Sequence, residues 1–487
     1  MNLLVDAVAV VAARIREAKD VHIVSHIDAD GISSGSIAYR TIRRLGIRPE
    51  VEFIKQLDDF VIDRLCKEIP DGTLVWFTDL GSGQLDRLRG IDCIVTDHHM
   101  PASTEVSGPL LEDGSFVQAN PHLAGVDGAQ EISGAGMAYL TARAVDKVNQ
   151  DQSMLAIVGA IGDMQHSREG RLVGLNASIV EEALEAGIVE VHMDLAFFGR
   201  ETRPILKLLQ YSSPAIPGVS GSEMGAMEVM KDADVEPKVG ATWRTWSDLS
   251  LEEKQRIIAR LGEVLLTQGH GHKAVSRLVQ EVYTFPAEER GSETRDAMEF
   301  STLLNSCGRY GMARVGMEVC LGDRMDAMTE AKRLQGSHRA KLVAGLRDVQ
   351  TMGIVSRRSI QFFHAGDAIP DTIVGTVASM ALQAPGIDLD PGLPIIALAK
   401  KRDEPGVIKV SGRGTRDLVD EGLDLAKAMT EAASGVGGIG GGHDIAAGAS
   451  IPEGREEEFL VALDAIVAGQ VPRLAGDDGD QDASEST

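Results

Sequence analysis

At 487 residues the chain exceeds a comfortable single hydrophobic core, so two or three domains are expected. Its hydrophobic content of 43% is ordinary for a globular protein, and the longest apolar runs, Leu155–Ile161 and Pro394–Leu398, are far too short to span a bilayer. A formal net charge of −25 excludes a generally basic, phosphate-covering surface, so any nucleic-acid contact must come from local clusters.

The acidic residues are spread over helices and tail, which suits a protein kept soluble in concentrated salt, where the Debye length falls to about 3 Å at 1 M. A halophilic source is the expectation, and full folding and activity in dilute buffer would count against it. The N-terminus lacks the basic region, apolar core and cleavage site of a secretory signal, which predicts a cytoplasmic location. Cys66, Cys93, Cys307 and Cys320 show no CxxC spacing and read as reduced, structural thiols.

In chain order, residues 2–18 carry an apolar helical stripe through Leu3, Leu4, Ala7, Val8, Val11 and Ile15. Val21–Val24 reads as a strand running into Ser25-His26-Ile-Asp28-Ala-Asp30-Gly31, a polar turn that opens a helix, where ligands meet backbone N–H groups. A calcium loop is excluded there because the downstream ligand spacing is missing. Val51–Ile54 and Thr73–Phe77 are further strands, the second ending at Asp79. The run Ile91–Val95 is apolar enough for a buried parallel strand and leads into Asp97-His98-His99. A single aspartate after a strand is commonly a helix N-cap, but three strands ending in carboxylates or imidazoles point to a shared site.

Asn120-Pro121-His122 reads as a turn and Ser133-Gly134-Ala135-Gly136 as a helix start. Asp151 is expected to cap the helix Met154–Gly162, which is apolar nearly all round, hence buried, and delivers Asp163 at its end. A carboxylate in that position is costly unless paired or metal-bound. The turn-rich stretch from about 196, with Ser212–Gly221, reads as a connector. Residues 250–280, Asp296–Tyr310 and Asp326–Arg347 read as helices, and Gly269-His-Gly-His272 as a loop pair of imidazoles. The last helix carries Lys332, Arg333, His338, Arg339, Lys341 and Arg347, either a solvated face or a phosphate-tracking one.

A final α/β segment begins near 351. Ile360–Phe363, Thr372–Val374 and Pro394–Ala399 read as strands, and Lys400-Lys-Arg402, Val407–Val410 and Ser411–Arg416 follow, which puts several cations within seventeen residues. The dense glycines of Gly437-Gly-Ile-Gly440-Gly441-Gly442-His443 cost conformational entropy and read as a backbone nest for an anion. The acidic, polar end reads as disordered.

Taken in order, His26-x-Asp28-x-Asp30-Gly, Asp79, Asp97-His98-His99 and Asp163 resemble the four motifs of the DHH phosphoesterase family. Ser411-Gly-Arg413 and Gly440-Gly-Gly-His443 resemble its partner domain, DHHA1, and the segment through Glu299–Arg309 resembles archaeal RecJ-like single-strand exonucleases, a group that includes GINS-associated nucleases. His26 departs from the bacterial RecJ proteins, which carry Asp there.

The resemblance implies an α/β fold: a parallel-sheet DHH catalytic domain (1–195), a connector and helical segment (196–350), and a smaller α/β DHHA1 substrate-binding domain (351–472) across a cleft, with a disordered acidic tail (473–487). It implies a metal-dependent exonuclease on single-stranded DNA or RNA in replication or repair, guessed as 5′→3′, with GINS-type replisome proteins as candidate partners and no membrane. Two divalent metals about 3.5–4 Å apart can activate water and neutralise phosphoryl charge. Mixed carboxylate and imidazole ligands favour Mn²⁺ over Mg²⁺. His26 and Asp28 are expected on one metal, Asp30, His98 and Asp163 on the other, and Asp79 between them. Asp97 is expected to orient His98, and His99 to contact phosphate or protonate the leaving oxygen. Arg413, Gly441, Gly442 and His443 would hold a phosphate or the terminal nucleotide. The alternatives are a phosphodiesterase of short RNAs or cyclic dinucleotides, and a non-catalytic replisome scaffold.

Overall fold

The structure, a computed structural model, describes residues 2–88, 90–102, 116–382, 384 and 386–471. The tail expected at 473–487 lies outside these residues. The chain forms two compact units that divide between Gln335 and Gly336. Among the described residues no helix is long and apolar enough to cross a membrane.

The first unit begins with α1 (Asn2–Glu17), β1 (Val21–His26), α2 (Ala29–Arg44), β2 (Glu50–Ile54), α3 (Asp59–Glu68), β3 (Leu74–Thr78), β4 (Cys93–Thr96) and β5 (Phe116–Ala119). The strands form one parallel sheet in the order β2-β1-β3-β4-β5. Every residue of β3 and β4 is buried, because helices cover both faces. On one face Ile23, Trp76, Ile94 and Val117 pack with α1 residues Leu4, Val8 and Val11; on the other Val24, Val75, Phe77 and Val95 pack with Ile62 and Leu65 of α3. The four-residue β5 carries no alternation of its own, and only its pairing with β4 identifies it as a strand.

Next come α4 (Gly134–Val145), α5 (Ser153–Gly162) and α6 (Gly174–Glu185). Eight of the ten residues of α5 are buried, which fits its uniformly apolar sequence. Its cap is not Asp151, which instead pairs with Arg44 at 2.6 Å; a 3₁₀ turn over Lys147–Gln152 leads into the helix.

The stretch read as a connector is a packed excursion. It leaves from β6 (Glu190–Leu195), passes through α7 (Ile205–Gln210), α8 (Glu223–Asp232), the hairpin β7 (Lys238–Val239) and β8 (Thr242–Trp243), α9 (Leu251–Thr267) and α10 (His272–Ser276), and returns along β9 (Val279–Thr284). β6 and β9 pair antiparallel, with Leu195 opposite Val279. Phe197, Ile205, Leu208, Trp246, Ile257 and Leu261 form its own core. The helix expected over 250–280 therefore stops at Thr267, and β9 closes the excursion.

The unit continues with α11 (Ala297–Arg309) and α12 (Ala313–Cys320), and α13 (Asp326–Met352) carries the division between units. Asp296 caps α11 by accepting from Met298 and Glu299 N–H. The first turn of α11 is tied to the excursion. Buried Arg200 pairs with Asp296, and Glu299 accepts from the Glu201 N–H at 2.7 Å and from the Thr202 hydroxyl. Burial, with Asp296 nearby, pushes the Glu299 carboxyl up to about 7 from 4.5.

The folded state thus holds a proton that the unfolded chain releases above its own value, and stability falls as pH rises through this window. Glu299→Gln is expected to flatten that slope and to stabilise the protein at pH 8 by about 2 kcal/mol. Thermal melts of both proteins at pH 5 and pH 8 check this; parallel pH profiles would contradict it.

The second unit adds β10 (Val355–Ser356), β11 (Gln361–Gly366), α14 (Asp371–Ala381), β12 (Ile395–Lys400), β13 (Val407–Arg413), α15 (Arg416–Asp420), α16 (Leu425–Gly435), β14 (Ile439–Gly442), β15 (Ala446–Pro452) and α17 (Glu456–Gln470). The sheet order is β10-β11-β12-β13-β15-β14, parallel only between β11 and β12. α16 and α17 cover one face, α14 the other. Thr372–Val374, expected as a strand, lies in the first turn of α14: Pro370 and Asp371 start a helix there, and this local signal overrides the β-branched run.

Candidate metal centre

The strand order reverses between β1 and β3, and the carboxyl ends flanking that switch point are where an open α/β sheet gathers ligands. His26 is the last residue of β1, and Asp28 caps α2, accepting from the Gly31 N–H at 2.9 Å. Asp28 also lies 2.9 Å from His26 Nδ1. Asp30, in the first turn of α2, points at the start of α4 and accepts from Gly134 and Ala135 N–H at 2.7 and 2.9 Å. A helix N-terminus favours such a negative charge.

Asp79 follows β3 in the left-handed region, φ +59°, which aspartate tolerates better than most residues. It is 2% exposed, and a Cβ on Gly134 would sit 2.5 Å from its Oδ1. Glycine at 134 is therefore what lets this carboxylate lie against α4. Asp163 is the C-cap of α5, a third exposed, and accepts from Gln165 Nε2 at 3.0 Å.

Among the described residues, three groups each hold ligand atoms within 4.8 Å of one another: His26, Asp28 and Asp79; Asp30, His98 and Asp163; and Asp79, Asp97, His98 and His99. Asp79 and His98 each belong to two groups. Asp79 Oδ1 is buried and accepts no hydrogen bond among the described residues, although His98 Nε2 is 3.2 Å away. A desolvated carboxylate oxygen without a donor is costly, and a cation is the partner whose charge would remove that cost. Hard carboxylates and borderline imidazoles form a suitable donor set for a divalent ion. The imidazole pair at Gly269–His272 joins none of these groups; His272 opens α10.

The electrostatics follow from this crowding. Burial, reinforced by Asp30 and Asp28, drives the Asp79 carboxyl well above the usual range. Burial also raises Asp30, and raises Asp163 to about 7. Burial opposes the charged form of His26, but its hydrogen bond to Asp28 and the charges of Asp28 and Asp79 outweigh that and lift it to about 9. In His98 the same burial is overcome by Asp163, Asp30 and Asp97.

Asp97 does not orient the His98 ring. Its Oδ1 accepts from His98 and His99 N–H and lies 2.8 Å from His99 Nδ1, while its Oδ2 accepts from Ser82 N–H. The backbone N–H donors fix the carboxylate on the His99 side. His98 is oriented instead by Gly128 O, 2.7 Å from its Nδ1. The hydrogen bond that the His99 ring donates to Asp97 lifts His99 to about 9 and, despite burial, the imidazoles depress Asp97.

α11 supplies partners that no spacing rule reveals. Asn305 Oδ1 accepts from the Ala29 N–H at 3.0 Å, between Asp28 and Asp30. A Cβ on Gly308 would lie 1.7 Å from Ile27 O, so the helix rests directly on the β1–α2 turn. Arg309 is close enough for its charge to act on Asp28. The run Glu299–Arg309 carries a family resemblance in the sequence, but nothing in it signals these contacts.

Arg413, Gly441, Gly442 and His443 belong to the second unit. Arg413, on β13, donates to Ser379 Oγ at 3.0 Å and to Gly412 O at 2.7 Å. The glycine run is a strand rather than an open nest: Gly441 pairs with Gly448 and Gly442 with Ala447. Its composition has a packing cause, since a Cβ on Gly440 would meet Met429 O at 2.4 Å under α16. His443 is exposed at the hairpin and donates its N–H to Ala446 O. Lys332 and Arg333 of α13 are ion-paired to Glu293 and Glu330.

Strand order and switch-point residues together define an α/β protein with a carboxylate–imidazole candidate metal centre. The profile of the DHH family N-terminal domain matches residues 20–161, that of the DHH-CID domain 197–279, and that of the DHHA1 domain 351–469. An uncharacterised Methanocaldococcus jannaschii protein, MJ0831, is 30% identical over 457 residues, 93% of this chain and 94% of that one. The chain belongs to the DHH phosphoesterase family. The single-stranded-DNA-specific exonuclease RecJ of Thermus thermophilus is 26% identical over 192 residues, 37% of this chain and 27% of that protein. Its crystal structure with Mn²⁺ is similar in fold, with a TM-score of 0.57, 20% identity and coverage of 96% of this chain and 55% of that one. Cdc45 of Entamoeba histolytica is also similar in fold, with a TM-score of 0.61, 11% identity and coverage of 94% and 97%.

Proposed function

We propose that the protein is a two-metal phosphodiesterase, a single-strand-specific exonuclease working 5′→3′. The observation that carries this reading is that the His26, Asp28 and Asp79 group adjoins the Asp30, His98 and Asp163 group where Asp79 Oδ1, a buried oxygen that accepts no hydrogen bond among the described residues, lies 3.2 Å from His98 Nε2. His26 and Asp28 would hold one cation, Asp30, His98 and Asp163 the other, and Asp79 would serve both. Two divalent cations there, Mn²⁺ in preference to Mg²⁺, would supply charge neutralisation of the phosphoryl oxygens and an activated water.

The rest is done by the chain's own groups. Asn305 and Gly308 hold the turn that presents Asp28 and Asp30. Gly128 O fixes the tautomer of His98, leaving Nε2 toward the carboxylates. His99 keeps a proton at neutral pH through Asp97 and is more than half exposed, so it can protonate a leaving oxygen.

The deciding experiment is digestion of single-stranded DNA and RNA of about twenty nucleotides, longer than one single-strand site. Each is labelled at one end and incubated with Mn²⁺ at high salt, as the acidic, halophile-like charge recommends. Ladder formation from one end supports the reading; an untouched strand alongside rapid dinucleotide cleavage would replace it with a small-substrate phosphodiesterase. A cytoplasmic replication or repair role with a GINS-type partner belongs to the same proposal. It is supported by the resemblance and tested by co-purification.

Metal binding should tighten with pH. A cation competes with protons on its ligands, and in the metal-free protein His26 titrates near 9 and Asp163 near 7. Mn²⁺ affinity measured calorimetrically is expected to rise steadily from pH 6 to pH 9. A flat profile would exclude these two ligands.

A further inference from the structure

The cations between residues 400 and 416 stand out in an acidic chain, and the structure separates them into two kinds. Lys400 pairs with Glu453 at 2.7 Å, Lys401 with Glu404, and Arg416 with Asp420 at 3.9 Å. Arg413 bonds to the neutral groups Ser379 Oγ and Gly412 O. Lys409 is half-buried, and its ammonium makes no hydrogen bond or ion pair among the described residues.

Its position is specific. Along β13, Ile408 and Val410 enter the core under α16 and α17, so Lys409, Ser411 and Arg413 share the opposite face. That face lies against α14: a Cβ on Gly375 would meet Arg413 Nη2 at 2.5 Å and Ser411 Oγ at 3.2 Å. Lys409 is opposite Ser450 in the ladder, yet its Nζ lies 3.3 Å from where Gly448 would carry a Cβ, and Gly448 is the residue opposite Ser411. The ammonium therefore leans along the strand toward Ser411 and Arg413, over a glycine that leaves room for it. Burial, helped by Lys401 and Arg413, lowers its pKa, and the first-turn carboxylate of α14, Asp371, opposes this from too far away to form an ion pair. A desolvated cation leaning toward other positive charge lacks a counter-anion.

We propose that Lys409 is a phosphate-binding residue, which with Ser411 and Arg413 makes one face of β13 a row for two successive phosphodiesters of a single strand. The proposal rests on the nuclease reading above and adds a second phosphate position to the one expected at Arg413. Phosphate is the suitable ligand because a point-charge ammonium beside a guanidinium and a hydroxyl matches adjacent anionic oxygens.

The test is binding of a fluorescent single-stranded 20-mer to the full chain in EDTA across a salt series. Lys409→Gln is expected to weaken binding about tenfold and to reduce the slope of log K against log salt by about 0.7, one phosphate contact on a single strand. Lys409→Arg restores both, and Lys400→Gln, whose parent lysine already has a carboxylate, leaves the slope as it is. Melting curves establish that the variants are folded. If the wild type binds and cleaves the strand while Lys409→Gln shows unchanged affinity and slope, the second phosphate position is overturned alone. If the wild type neither binds nor cleaves it, the nuclease reading falls and takes this subsite with it.

Discussion

Asp79→Asn is expected to lower kcat/KM for phosphodiester hydrolysis by about a thousandfold or more, roughly 4 kcal/mol of transition-state stabilisation. Asparagine tolerates the left-handed backbone at this position, so the local fold is kept while the charge is removed. Among the described residues, Asp79 belongs to two of the three ligand groups, and no other carboxylate does. The same change should raise the melting temperature of the metal-free protein, because it relieves the crowding of Asp79 with Asp30 and Asp28. Added Mn²⁺ is expected to raise the melting temperature of the wild type by mass action and to do so much less in the variant. Opposite signs for stability and activity in one substitution mark a functional carboxylate. An active variant, or one with the full Mn²⁺ shift, would remove Asp79 from the centre.

Gly308→Ala is expected to cost about 1–3 kcal/mol of stability, the usual range for overpacking. The added methyl would overlap Ile27 O, a backbone atom that no rotamer change can move aside. α11 must lift from the β1–α2 turn, and the hydrogen bond from Ala29 N–H to Asn305 lengthens with it. Because that turn carries Asp28 and Asp30, Mn²⁺ affinity should fall about tenfold, an effect a remote destabilisation would not produce. Gly336→Ala, in α13 with open space around it, is the control and should be neutral or slightly stabilising. Calorimetric Mn²⁺ titration and thermal melts of both variants decide the matter.

The parts of the fold legible in the sequence are those whose signal is local. β1, β3 and β4 are short apolar runs that stop at polar residues, and α5 is apolar on every side, so their burial could be read directly. What escaped depends on partners far along the chain. Asn305 meets Ala29 across 276 positions, and β6 finds β9 only after the excursion between them. At the site, the residues Asp97, His98 and His99 were visible, but which imidazole the carboxylate serves was set by Ser82 N–H and Gly128 O, neither of which has a sequence signature. The glycine run misled for a related reason: its composition answers to Met429 on a neighbouring helix rather than to an open loop.

The pairing of Leu195 with Val279 gives the excursion between them the topology of a cassette. Its two ends leave the two-stranded β6–β9 ribbon side by side, about 5 Å apart as in any antiparallel pair, so its contents can be exchanged without rerouting the rest of the chain. Grafting is nonetheless constrained by a latch. A replacement lacking Arg200 and Thr202 would take from Asp296 its buried ion-pair partner and from Glu299 its hydroxyl donor, at the start of the helix that rests on the β1–α2 turn. Cassette variants that preserve Arg200 and Thr202 should keep the first turn of α11, and with it the β1–α2 turn, in place.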